Sequence, residues 1–149
     1  MISPALLATH STALWLFAIA RLSFSYLSLP GLSTITPEVA QAFAKRKGRL
    51  YFGGLTTITP EVAEALAKHE GYLSLDDLTT ISPEVAEALA KHEGRLGLDG
   101  LTSITPEVAE ALAKFKGELS LGGLTTITPE ALKILRANTE IVLPDKFTE

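Results

Sequence analysis

Arg49-Leu50-Tyr51-Phe52-Gly53-Gly54-Leu55-Thr56-Thr57-Ile58-Thr59-Pro60-Glu61-Val62-Ala63-Glu64-Ala65-Leu66-Ala67-Lys68-His69-Glu70-Gly71 is one complete unit of a pattern that returns every 23 residues. Leu27, Leu50, Leu73, Leu96 and Leu119 open the successive units, and Thr56 to Gly71 differs from Thr79 to Gly94 only at Thr59 against Ser82. A fixed period of this length signals stacked supersecondary units, none of which buries its apolar face alone. Within the unit, Leu50 and Phe52 alternate with Arg49, Tyr51 and Gly53, the period of a strand with one face buried. Gly53-Gly54 turns the chain, and Leu55 and Ile58 are spaced to plug the core from the bend that follows. Thr59-Pro60-Glu61 is a helix start. The threonine caps open N–H groups, proline sits at the first helical position, and Glu61 suits the positive end of the helix dipole. Val62 and Leu66 mark the inward helix face, Glu64 and Lys68 are spaced as an i, i+4 pair, and Gly71 is expected to stop the helix.

Strand, helix and strand at this spacing predict an α/β fold of parallel strands joined by right-handed crossovers. Strands about 4.8 Å apart stacked beside helices about 8–10 Å apart bend such an array, with strands on the concave side and helices outside. The expected fold is therefore a short right-handed solenoid. Residues 27–140 form five repeats. Residues 1–26 form a degenerate first unit whose helix covers the open end of the core, and residues 141–149 form a last strand with a polar cap. Shifting the frame back by 23 places Leu16 under Val39 and Leu27 under Leu50.

The L-x-L-x-x-L-T-x-I run with one helix per unit resembles the leucine-rich repeat superfamily, in particular its bacterial members and the 23-residue variety of large bacterial surface proteins. The resemblance covers Tyr26 to Leu143. It departs at one position, where the family usually carries asparagine or cysteine and this chain has Leu32, Leu55, Leu78, Leu101 and Leu124. The asparagine ladder is absent, and the hydroxyls of Ser33, Thr56, Thr79, Thr102 and Thr125 are the expected substitute. If buried and bonded, the Thr102 hydroxyl would be worth about 1 kcal/mol. The resemblance implies an interaction scaffold that uses its concave strands, and it supplies no catalytic residue.

Composition narrows the functions further. The chain has 149 residues, is 46% hydrophobic, and carries a net charge of −4, so it is one domain in size and lacks the basic footprint of a nucleic-acid binder. Zero cysteines exclude disulfides and thiolate metal sites. Ala13 to Ala20 is strongly apolar but short for a membrane span, and no Lys or Arg precedes it as in a secretory signal. Membrane contact is expected only through residues 1–21, and the chain is expected to be a monomer.

Motifs for phosphate, dinucleotide, zincin or nucleophile chemistry are missing, so no catalytic, cofactor or metal residue is assigned. His69-Glu70 and His92-Glu93 carry metal-ligand chemistry, yet duplication alone explains their pairing, and as helix ends they are expected to be solvated. The glutamate columns, Glu61, Glu84 and Glu107 and then Glu64, Glu87 and Glu110, are expected to be exposed and paired with lysines. Asp76, Asp77 and Asp99 invite a calcium reading, but without the spacing of a calcium loop.

The otherwise uniform units differ on the outward strand positions. The first such column reads Tyr26, Arg49, Tyr72, Arg95, Glu118, the second Ser28, Tyr51, Ser74, Gly97, Ser120, and the third Pro30, Gly53, Asp76, Asp99, Gly122. Arginines beside tyrosines favour stacking, and Arg95 is placed to pair with Glu118. Aromatic residues and arginine are what binding hot spots favour. The candidate partner-binding set is therefore Arg49, Tyr51, Tyr72, Asp76, Arg95 and Asp99, for a protein or peptide ligand. Two readings stand beside it. One is a self-satisfied ladder that keeps the sheet soluble. The other is a structural spacer or capping segment of a larger or membrane-anchored repeat protein.

Overall fold

A computed structural model describes residues 12–21 and 25–149. Residues 1–11 and 22–24 lie outside it, and with them those parts of the expected first unit and membrane-contact segment. Strand and helix alternate throughout. In chain order the elements are α1 (Thr12–Ala20), β1 (Tyr26–Leu29), α2 (Pro37–Ala44), β2 (Lys47–Phe52), α3 (Pro60–Leu66) and β3 (Glu70–Ser74). There follow α4 (Pro83–Leu89), β4 (Arg95–Gly97), α5 (Pro106–Leu112), β5 (Leu119–Ser120), α6 (Pro129–Arg136) and β6 (Ile141–Val142). The six strands form one parallel sheet in sequential order. Its register is the repeat itself: Leu27 pairs with Leu50, Leu50 with Leu73, Leu73 with Leu96, Leu96 with Leu119, and Leu119 with Ile141.

The alternation of the strand sequence sets which face is buried. Leu73, Leu75 and Leu78 are fully buried, as are Leu96, Leu98 and Leu101, and they pack with Val62, Leu66, Val85 and Leu89 of the helices. Residues such as Arg49 and Arg95, one position away, are exposed. Full burial of a leucine is worth about 2 kcal/mol, so the regular leucine register holds the sheet against a one-residue slip that would expose all of them. Ala40, Ala63, Ala86 and Ala109 are completely buried where helices face the core; larger side chains there would push the helices off the sheet. At the N-terminal side, α1 adds Leu16, Ile19 and Ala20 to the same core and leaves Leu14 and Trp15 exposed. Among the described residues no helix is long and apolar enough to cross a membrane.

Each repeat helix begins as its sequence dictates. The hydroxyl of Thr36, Thr59, Ser82, Thr105 or Thr128 accepts the N–H three residues ahead at 3.2–3.4 Å, with proline at the next position. The helix ends depart from expectation. α3 is capped at Ala67, not at Gly71, because strand β3 already starts at Glu70. Gly71 lies in that strand with φ +135°, and a Cβ on it would collide with the carbonyl oxygen of Gly48. Glycine is needed there for backbone-to-backbone approach rather than for a helix stop. Glu64 also pairs differently: it meets Lys91 of the next unit at 3.3 Å instead of Lys68.

The expected hydroxyl ladder does not form. Ser33, Thr56, Thr79, Thr102 and Thr125 are all exposed, and among them only the Thr125 hydroxyl donates along the column, to the Thr102 carbonyl at 3.1 Å. The backbone carries the contact instead, with Thr79 N–H donating to Thr56 O and Thr125 N–H to Thr102 O.

A different column does the work of a ladder. Arg46, His69, His92, Phe115 and Asn138 recur at the 23-residue interval just after each helix. Arg46 Nη1 donates to the carbonyls of Ile19 and Ala20 at 3.1 and 3.2 Å. His69 Nε2 donates to Gly48 O at 3.0 Å. His92 places Nδ1 3.3 Å from Ala67 O and Nε2 3.1 Å from Gly71 O. Asn138 Nδ2 donates to Ala113 O and Phe115 O at 3.0 and 2.9 Å. Each contact reaches back into the preceding unit, to carbonyls at or just past a helix end (Ile19, Ala20, Ala67, Ala113, Phe115) or to Gly48 and Gly71 in the strand that follows it. The histidines are thus not the solvated helix ends expected from sequence: His69 is 2% exposed and His92 0%. Their rings stack with centroids 6.4 Å apart and planes 3° from parallel, and Phe115 continues the pile at 6.2 Å from His92.

The C-terminal segment is tied down by side chains. Arg136 donates to the carbonyls of Phe147 and Glu149, and Lys146 to Thr125 O. The last strand is Ile141–Val142, within the 141–149 segment expected to supply it.

Candidate partner-binding face

Across β1, β2 and β3 the outward positions build a continuous aromatic surface. Tyr51 occupies its centre: its ring lies 4.9 Å from Tyr26 and 5.1 Å from Tyr72, edge-on to the latter. Both distances fall in the range of favourable ring pairs. Strand register causes this arrangement. Tyr26, Arg49 and Tyr72 are direct neighbours in one row, while Tyr51 stands two residues farther along β2 on the same face and lies diagonal to both tyrosines. Tyr26, 55% exposed, belongs to the site although it was not among the residues singled out for partner binding. The register that places it beside Arg49 was the available signal.

Tyr72 leans over the next strand. Its hydroxyl and the Asp76 carboxylate fill the space above Gly97, where a Cβ would lie 2.9 Å from the hydroxyl oxygen and 2.6 Å from Asp76 Oδ1. Any larger residue at 97 would lift the ring off β4. Arg95 covers the ring, with its guanidinium carbon 5.4 Å from the centroid, and also holds Glu118 at 2.9 Å. Burial, then the Asp76 charge, push the Tyr72 phenol above its ordinary value. It therefore remains a protonated hydrogen-bond donor at neutral pH.

The six expected site residues thus fall into two groups. Arg49, Tyr51, Tyr72 and Arg95 form one surface with Tyr26. Asp76 and Asp99 stand farther along the strands, and their carboxylates are engaged within the chain. Asp76 accepts from the Ser74 hydroxyl at 2.5 Å and from Asp99 N–H at 3.1 Å. Asp99 accepts from the Ser120 hydroxyl at 2.6 Å and from Gly122 N–H at 2.7 Å. Asp77 points the other way and takes Gly54 N–H at 2.5 Å. These are turn-fastening bonds between neighbouring units, and they use the oxygens that a calcium ion would need.

The histidine pair has no metal geometry either. The two Nε2 atoms face carbonyls of different units, and no group of three or more ligand side chains gathers among the described residues. Burial, the largest influence, depresses the His69 pKa below its ordinary value, with the Gly48 carbonyl opposing and His92 adding to the effect. The first-turn glutamates Glu38, Glu61, Glu84 and Glu107 are held below the usual carboxylate range by a backbone N–H and the capping hydroxyl. Such groups are ionised and spent on capping, the opposite of a carboxyl poised for proton transfer. An open groove of about 660 Å³ runs past the helix ends near Glu64, Lys68, Glu70 and Lys91, bordered by the Lys47–Glu70 and Lys91–Glu64 ion pairs.

In comparisons with known proteins, the chain matches no family model, no curated protein and no solved structure.

Proposed function

We propose that the chain is a non-catalytic interaction module, a short solenoid of leucine-rich-repeat type that binds a protein or peptide on its concave strand face. The observation that carries this reading is the Tyr26–Tyr51–Tyr72 surface flanked by Arg49 and Arg95. Three rings in contact on an exposed sheet face are the anchors from which protein interfaces draw most of their energy, and the rigid sheet holds them in place before a partner arrives. The outward strand positions vary between units, whereas the strand positions beneath them stay apolar throughout.

The competing reading is a structural spacer or capping segment without a specific ligand. It is favoured by the Arg95–Glu118 pair and by the aspartates bonded within the chain. Capture of partners by wild type beside an Arg49→Ala/Tyr72→Ala/Arg95→Ala variant separates the two, with circular dichroism to establish that the variant is folded. A partner retained by wild type and lost by the variant supports the binding module. Equal recovery by both rejects it in favour of the spacer.

A further inference from the structure

The open sheet face carries an exposed cation without a counter-ion. Arg49 makes no side-chain hydrogen bond and no ion pair to a described residue, whereas Arg95 two strands away is neutralised by Glu118 at 2.9 Å. Its setting is specific. Tyr26 and Tyr72 flank it in register, each about 4.8 Å away across the sheet, and Tyr51 touches both rings from the same face. A ligand laid over these rings excludes water from this part of the face, and the lower effective dielectric beneath it strengthens the attraction of Arg49 for an anion. The planar fork of arginine matches a carboxylate with two parallel hydrogen bonds.

The rest of the molecule limits what that anion is. The net charge is −4, so no long-range field draws polyanions to the chain. Asp76 and Asp99 stand beyond β3 and β4 and repel a second negative charge. A nucleic-acid strand or a run of acidic residues would meet them. A single carboxylate over β2 would not.

From this geometry we infer that strands β1 to β3 bind an extended peptide segment bearing one acidic side chain. Arg49 takes the carboxylate, and a neighbouring apolar or aromatic residue of the peptide lies on the Tyr26–Tyr51–Tyr72 surface. The segment carries no acid where it crosses β3. The inference rests on the proposed reading of the sheet face as a binding surface and adds the chemistry of the ligand.

The test is selection of a random 12-residue displayed peptide library on immobilised wild-type chain and on Arg49→Gln, both verified as folded by circular dichroism. Wild type is expected to select peptides with a single Asp or Glu beside an apolar residue. Synthetic copies labelled for fluorescence polarisation should bind Arg49→Gln at least tenfold more weakly. Replacing the peptide acid by its amide should cost wild type the same factor and cost Arg49→Gln nothing further. Selected peptides without an acidic residue, bound equally by both proteins but lost on Tyr51→Ala, overturn the inference and leave the binding face standing. Peptides that bind Arg49→Gln and Tyr51→Ala as well as wild type overturn both, and so does a library that yields no binder.

Discussion

The column Arg46, His69, His92, Phe115, Asn138 and the column Tyr26, Arg49, Tyr72, Arg95, Glu118 recur at the same interval, three residues out of phase. The first runs inside the protein, with His69 and His92 at most 2% exposed; the second runs along open strands. Both vary from unit to unit. Inside, the variation is bounded by a single task. A guanidinium, two imidazoles and an amide are chemically unlike, yet each supplies side-chain N–H to backbone carbonyls of the unit before. Phe115 has no such donor and instead extends the ring stack. Outside, the residues answer to one another through ring contacts and one ion pair, and the backbone beneath them is paired without their help. Variation in the buried column is therefore a set of solutions to one problem of unsatisfied carbonyls. On the face no such demand bounds it.

The strongest way to break the inner column is to deny it its close backbone approach. Gly71→Ala places a methyl group against the Gly48 carbonyl at a positive φ, and a loss of about 3 kcal/mol is expected in urea unfolding. If the change is neutral, the backbone contact between units is not the constraint described above. His92→Leu comes next. It leaves the carbonyls of Ala67 and Gly71 without their buried side-chain partner, for an expected loss of about 2 kcal/mol; a stabilised variant would show that packing, not hydrogen bonding, holds the column.

Acid should sharpen the contrast. Because burial depresses the His69 pKa, the unfolded chain binds the proton more readily than the folded one. Stability is full above the ordinary histidine value of about 6.5 and falls as pH drops below it toward the folded value. Urea midpoints measured from pH 7.5 down to 5 should decline, and His69→Asn, which borrows the residue found at 138, should flatten the decline. An unchanged slope would remove His69 as its source. On the face the expected effect is smallest: a double-mutant cycle on Arg95→Ala and Glu118→Ala should give a coupling of about 0.5 kcal/mol, as exposed pairs do. A coupling several times larger would mean that the face is held rigid by its own charges.

Much of this architecture was legible in the residues. Strand register, the L-x-L burial pattern and the Thr-Pro-Glu helix starts depend on neighbours within a few positions, and all appear where the sequence puts them. The row that sets Arg49 between Tyr26 and Tyr72 follows from the period alone. What the sequence did not display is the fate of a helix end. Lys68-His69-Glu70 reads as a polar terminus open to water. Only stacking of the next unit encloses His69 between two charged, exposed neighbours. The aspartates misled for a similar reason: Asp76 looks free until Asp99 N–H is brought onto it from 23 residues ahead. A shared ability to donate N–H at positions 46, 69, 92 and 138 was the signal for the column, visible once chemical function rather than residue type is compared.

Because the column reaches backward, each unit is completed by the one after it. On a ribosome, where the chain emerges from its N-terminal side at about 5–20 residues per second, more than a second separates synthesis of the α3 segment from that of His92. Growth of the array is thus ordered in time: the unit most recently synthesised is the one whose carbonyls still await the side chain of its successor.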